Sequence, residues 1–302
     1  MKLEIKDVRK SFGDKEILHG INFEVNSGRA MGFLGRNGAG KTTTFRCLMD
    51  VFKQDSGQFL LDGKVFDHKQ NKIGYLPEER GLYYKINVLD QLIYYGELRG
   101  GTKQESRESA LYWIDYFDLN DFKHKHLETL SKGNQQKIQI AQAFLNDPEI
   151  LILDEPFSGL DPVNSGIFKN AIRLFVERGK LVIFSSHQMS YVEEMCDEIT
   201  LIHHGDILLS GDLKVIQREK GKNKYRVEVP HQLKDSVKSL IATQPSFGIS
   251  EVDESLIIDT KNVMNLKDFT LFLLNNNIDF QQIGYYEPSL QDIFVEMVGD
   301  EV

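Results

Sequence analysis

The run Gly35-Arg36-Asn37-Gly38-Ala39-Gly40-Lys41-Thr42-Thr43 has the residue types and spacing for phosphate chemistry. It satisfies G-x-x-x-x-G-K-[ST] at every fixed position. A lysine at this place can reach the β- and γ-phosphates of a nucleotide as a point charge. The Thr42 hydroxyl is placed to ligate Mg²⁺. The flanks fit the same reading. Ala30-Met31-Gly32-Phe33-Leu34 is short and apolar and predicts a strand; Thr44 to Met49 predicts a helix. A buried strand then feeds a glycine turn and a helix N-terminus. The unpaired N–H groups there, with about half a positive charge from the helix dipole, form an anion cradle. Glycine allows backbone conformations and close approaches that a Cβ would block. A glycine-rich turn with a chance lysine would not need these flanks.

Two carboxylates come next. Ile150-Leu151-Ile152-Leu153 predicts an apolar strand that ends in Asp154-Glu155. In phosphate-loop enzymes such a strand is expected beside the strand of the loop, and its terminal Asp holds Mg²⁺ through water. Glu155 would polarise an attacking water, or it is a plain surface acid; taken alone, the residues leave both open. Leu181 to Ser186 is another apolar strand, ending in His187.

These groups need a scaffold. Leu3 to Val8 alternates with period two, and Ile17-Leu18 and Ile21 to Val25 continue the pattern, which predicts antiparallel strands over 1–30. Phe12 is expected in a loop before the second strand. Gln58 to Lys64 reads as a hairpin, and Ile73 to Leu76 as a short strand stopped by Pro77. From about Val88 to Ala143 the period becomes helical. Ile199 to Ile202 and Asp206 to Leu209 form a late hairpin around His204-Gly205. A boundary is expected near Lys214 to Lys224, a polar, charged stretch. Beyond it the order is strand (225–229), helix (233–242), two strands (248–252 and 255–259), helix (266–274), strand (280–285) and helix (290–298). That is β-α-β-β-α-β plus a helix, the ferredoxin-like order.

The 302 residues allow one large domain or two smaller ones. Hydrophobic content of 41% and charged content of 27% are those of a soluble globular chain. A net charge of −9 and a pI of about 5.5 argue against nonspecific attraction to nucleic acid or an anionic membrane. Cys47 and Cys196 are too few for a disulfide framework, so a reducing cytosol is the simplest setting. The N-terminus lacks a signal-peptide core, and no run approaches the ~18 apolar residues of a membrane span. If the chain works at a membrane, something else must anchor it.

Leu130-Ser131-Lys132-Gly133-Asn134-Gln135-Gln136-Lys137 resembles the signature of the ATP-binding cassette (ABC) ATPases, L-S-G-G-Q, in its place before the second carboxylate motif. Lys132 and Asn134 depart from the commonest form, while Ser131 and Gly133 are kept. Ser158-Gly159-Leu160-Asp161 resembles the family's D-loop, and His187 its switch histidine. The resemblance covers roughly residues 1–215. The style of Tyr75 to Tyr83 and of the signature, with the C-terminal Leu290 to Glu296 segment, looks like ATPase subunits of bacterial ABC-2-type exporters, including the sodium-efflux type.

The resemblance implies an α/β fold. It comprises a P-loop ATPase core with an antiparallel β subdomain and a helical subdomain at about 85–145, spanning 1–215. A C-terminal α+β accessory domain of ferredoxin-like order follows over 216–302. It implies ATP and Mg²⁺. Gly35 to Thr43, with Ser131 and Gly133 of a partner, would bind phosphate, and Phe12 would stack on adenine unless it is a core phenylalanine. Thr42, Asp154 and Glu78 would serve the metal, and Lys41, Glu155 and His187 catalysis. Glu78 stands where the family has Gln; a carboxylate ligates Mg²⁺ more strongly but donates no hydrogen bond when ionised. Partners would be a second copy, head to tail, and integral membrane permease subunits on the cytoplasmic side of the cell membrane. The region Tyr83 to Gly101 would meet the permease. No nucleic acid is expected. The rival reading is a soluble ABC ATPase in DNA maintenance or translation. A P-loop kinase or GTPase would lack the signature. The C-terminal domain would regulate the ATPase, bind a ligand, or hold subunits together without ATP.

Overall fold

The computed structural model describes residues 1–79 and 81–299; Arg80, within the Tyr75–Tyr83 stretch, lies outside them. Two compact units divide the chain, Met1–Leu213 and Lys214–Val302.

The first unit begins with β1 (Lys2–Phe12), β2 (Lys15–Asn26) and β3 (Ala30–Leu34), then α1 (Lys41–Leu48), β4 (Ser56–Leu61), β5 (Lys64–Val65) and β6 (Ile73–Leu76). Three helices follow, α2 (Val88–Leu98), α3 (Lys103–Tyr116) and α4 (Lys132–Phe144). The remainder is β7 (Ile150–Leu153), α5 (Pro162–Glu177), β8 (Leu181–Ser186), α6 (Met189–Met195), β9 (Glu198–His203) and β10 (Asp206–Asp212).

An antiparallel sheet, β2-β1-β4-β5, packs with a six-stranded sheet of order β10-β9-β3-β8-β7-β6. The latter is parallel from β9 to β6, with β10 antiparallel at its edge. Every residue of β3, β7 and β8 is buried, as expected of parallel strands covered on both faces. Leu3, Ile5, Phe23, Phe33, Phe45, Ile152 and Ile183 join the core between them. Each such side chain stabilises the fold by roughly 1.5–3 kcal/mol. A second aromatic core, Trp113, Phe144, Phe168 and Phe175, ties α3 and α4 to α5. The Trp113 indole donates to Phe144 O at 3.0 Å, so its one polar group is satisfied.

Two expectations change. Phe12 is the last residue of β1 rather than a loop residue, because it still pairs with Lys15 across the hairpin. The carboxylate strand β7 does not lie beside β3; the fully buried β8 runs between them and pairs with both.

The second unit opens with α7 (Leu213–Lys220), where the sequence suggested only a polar boundary. Leu213 and Gln217 are buried and Ile216 half-buried, spaced i, i+4 and i+3, which gives that segment an inward face. Then come β11 (Lys224–Glu228), α8 (Lys234–Ala242), β12 (Gly248–Val252), β13 (Ser255–Asp259), α9 (Leu266–Asn275), β14 (Gln282–Tyr285) and α10 (Leu290–Val298). The antiparallel sheet has order β12-β13-β11-β14, a ferredoxin-like arrangement. Its core is Val227, Ile258, Val237 and Phe269 with their neighbours.

Candidate active site

The C-terminal ends of the parallel strands lie close together, β7 stopping two residues before β8. Leu34 of β3 aligns with Ser186 of β8, and Leu153 of β7 with Phe184. Loops leaving the C-terminal ends of such strands are where open α/β sheets bind ligands.

Gly35 leaves β3 with no room for a side chain, since a Cβ would meet Ile202 O at 2.4 Å. Arg36, Asn37 and Gly38 form the exposed bend, and Ala39 and Gly40 return to the interior. Gly40 takes φ 118° as the N-cap of α1, and no side chain caps that helix. The first N–H groups of α1, those of Lys41, Thr42 and Thr43, therefore keep their donors for a ligand. Lys41 turns back over the loop. Its Nζ donates to Gly35 O at 2.6 Å and Arg36 O at 3.3 Å, and pairs with Glu155 Oε1 at 3.3 Å.

Glu155 follows β7 at φ 49°, an uncommon conformation for a residue with a Cβ. Its second oxygen lies 2.8 Å from His187 Nδ1 and accepts the His187 N–H at 3.4 Å. An ionised Glu155 places the imidazole proton on Nδ1. The Glu155 side chain is 8% exposed, so the plain surface acid is excluded. Asp154 is buried. Its Oδ1 accepts from the Ser185 hydroxyl at 2.6 Å, and the same hydroxyl accepts the Glu155 N–H at 2.9 Å. Burial pushes the Asp154 carboxyl above its ordinary range; the Ser185 hydrogen bond and the nearby Thr42 hydroxyl oppose that, and Glu78 and Glu155 add to it.

Asp154 Oδ2 is buried without a hydrogen-bond partner. A buried orphan acceptor costs about 1–3 kcal/mol, and a cation or its water would relieve it. Glu78 stands exposed in a cleft shared with Asp154 and Glu155. Thr42, Asp154 and Glu78 make an all-oxygen set, which fits Mg²⁺. Among the described residues no group of three or more His, Cys, Asp or Glu is placed to hold a metal ion by itself.

Ser131 and Gly133 stand apart from this group. Ser131 is the N-cap of α4, accepting the Asn134 N–H at 3.3 Å. Among the described residues no hydrogen bond joins either to Gly35–Thr43. The site of a Gly133 Cβ is nearest Asn164, at the start of α5. Gln136 donates to Ser158 O at 2.5 Å and Gln139 to Pro77 O at 3.2 Å, linking α4 to the loops after β7 and β6. Phe12 is 45% exposed, which excludes the core reading; its ring meets Phe52 edge-on at 5.2 Å.

The sequence reading assigned no role to Ser185, Gln136 or Gln139. A serine two residues before His187 at a strand end was the available signal for the first.

The family model for ABC transporters matches residues 18–158. The ABC transporter ATP-binding protein YhaQ of Bacillus subtilis is 39% identical over 298 residues, 98% of this chain and 98% of that one. The chain belongs to the ABC transporter ATP-binding proteins. It is an ABC ATPase, and Lys41, Asp154, Glu155 and His187 are gathered where β3, β7 and β8 end. The bacitracin transport ATP-binding protein BcrA of Bacillus licheniformis is 31% identical over 305 residues, 98% of this chain and 97% of its own. A solved ATP-binding subunit of an ABC transporter superposes with a TM-score of 0.68 at 27% identity, covering 73% of this chain and 94% of that one. These relatives lend the DNA-maintenance or translation reading no support. No helix among the described residues is long and apolar enough to cross a membrane.

Proposed function

We propose that this ABC ATPase energises an ABC-2-type exporter, as a head-to-tail dimer docked on integral membrane permease subunits at the cytoplasmic side of the cell membrane. The observation that carries the dimer is the separation of the two anion sites. The Gly35–Thr43 loop and α1 form one, and Ser131 with the start of α4 the other, with no hydrogen bond between them among the described residues. A second copy would bring its Ser131 and Gly133 to the first copy's γ-phosphate. The full-length match to a bacitracin transport protein supports a transport partner.

ATP would sit with its phosphates on the α1 N-terminus and its adenine against Phe12. A phosphate oxygen would give Lys41 an acceptor in place of Glu155 Oε1. Glu155 would then orient and deprotonate the attacking water, with His187 holding its other oxygen. Lys41 and the loop N–H groups would stabilise charge on the transferring group. Mg²⁺, held by Thr42, Asp154 and Glu78, would neutralise phosphate charge. In this reading Glu78 takes the place of the family's Gln, and Glu78→Ala shifts the Mg²⁺ dependence of hydrolysis; an unchanged dependence contradicts that assignment.

The test is a detergent pull-down of the tagged protein from its native membranes. Equal recovery of a polytopic membrane protein is the expected result. Recovery of soluble partners only, with the chain absent from membranes, would overturn the transporter reading and leave the ATPase chemistry standing.

A further inference from the structure

Within the second unit a cavity of about 560 Å³ opens between the end of α7, the connection from β13 to α9 and the end of β14. That volume is in the range of small-molecule sites. Its walls are built in. A Cβ on Gly221 would meet Tyr286 O at 2.0 Å, so only glycine allows this approach of the chain after α7 to the 286–288 segment. The buried Gln217 amide donates to Pro288 O at 3.1 Å and locks the same contact. Arg218 and Lys222 are thereby held at the cavity.

Six other cations of this unit are held in ion pairs. Lys220 and Lys224 share Glu296, Lys234 and Lys238 share Glu251, Lys261 pairs with Asp259, and Arg226 with Glu228. Neither Arg218 nor Lys222 has a side-chain hydrogen bond or ion pair among the described residues. The one carboxylate of the wall, Glu287, pairs with neither. Beside them Tyr285 is 71% exposed, with its ring 5.8 Å from that of Tyr225. The Tyr225 hydroxyl is already given to Met264 O, whereas that of Tyr285 has no partner among the described residues.

We propose that this cavity binds a small organic anion that carries an aromatic ring. The ring would lie against Tyr285 and Met264, and the anionic group would take the donors of Arg218 and Lys222. Glu287 favours a single anionic group over a polyanion, which separates this site from the nucleotide site of the first unit.

The test is titration of the full chain with 2-naphthoate and with its neutral counterpart 2-naphthylmethanol, read by ligand fluorescence. Saturable binding of naphthoate, tighter than the alcohol by about tenfold or more, is expected. The double variant Arg218→Ala/Lys222→Ala should lose the preference for the anion, and Tyr285→Ala should weaken both ligands. All three positions are exposed, so the variants should keep the fold, and circular dichroism checks that. Lys267→Ala, another exposed cation outside the cavity, should bind as the wild type does. Naphthoate binding that is absent, or equal in the wild type and the double variant, overturns the proposal.

Discussion

The Ser185 hydroxyl donates to Asp154 Oδ1 over 2.6 Å, and through its oxygen it also holds the backbone N–H of Glu155. One buried side chain from β8 therefore positions both carboxylates, and it steadies Glu155 at φ 49°. Ser185→Ala should lower kcat by roughly 10- to 100-fold through misplacement of Glu155, with KM for ATP unchanged. Ser185→Thr keeps the hydroxyl and should restore most of the rate. Steady-state ATPase kinetics on both variants decide this; a wild-type kcat in Ser185→Ala would remove the positioning role.

Asp154 also predicts a pH signature. Burial raises its carboxyl above the ordinary 3.8, so the folded state holds that proton more tightly than the unfolded chain does. Stability from this group is full below 3.8 and is lost as pH rises through the raised value. Asp154→Asn removes the charge. Near neutral pH the variant should melt higher than the wild type while losing ATPase activity, and the gap should close as pH falls. Melting curves from pH 4 to 8 test this. A lower melting temperature for the variant at neutral pH, or a pH-independent gap, contradicts it.

Arg99, at the C-terminus of α2, donates to Gln142 O at 2.5 Å and Ala143 O at 3.3 Å, closing the last turn of α4. Gln142 O also accepts the Leu145 N–H at 3.4 Å, and both carbonyls lie in the last turn, where a cation suits the dipole. Arg99→Ala should destabilise the fold by about 1–3 kcal/mol. The midpoint of urea unfolding, with the slope unchanged, reads this; an unmoved midpoint would show that water replaces the guanidinium.

Much of the site was legible because its parts are local. The loop from Gly35 to Thr43 carries its own turn, cradle and lysine within nine residues, and the apolar runs of β3, β7 and β8 announce buried parallel strands. What was not legible is strand order. Periodicity states that β7 is buried, but not that β8 separates it from β3, and Ser185 gains its role only from that insertion. Helix α5 opens at the Asp161 N-cap and Pro162, local signals that overlap the stretch 158–161 resembling the D-loop. Phe12 shows the same limit: exposure at the end of β1 depends on which strand folds beneath it.

The most direct measurement is the oligomeric state of Glu155→Gln with Mg·ATP, by size exclusion with light scattering, beside its single-turnover rate. Glutamine keeps the size of the side chain and removes the base. The expected result is a dimer that retains ATP and hydrolyses it roughly 10²–10⁴-fold more slowly than the wild type. A variant that stays monomeric with Mg·ATP and turns over at the wild-type rate would contradict both the role of Glu155 and the paired site.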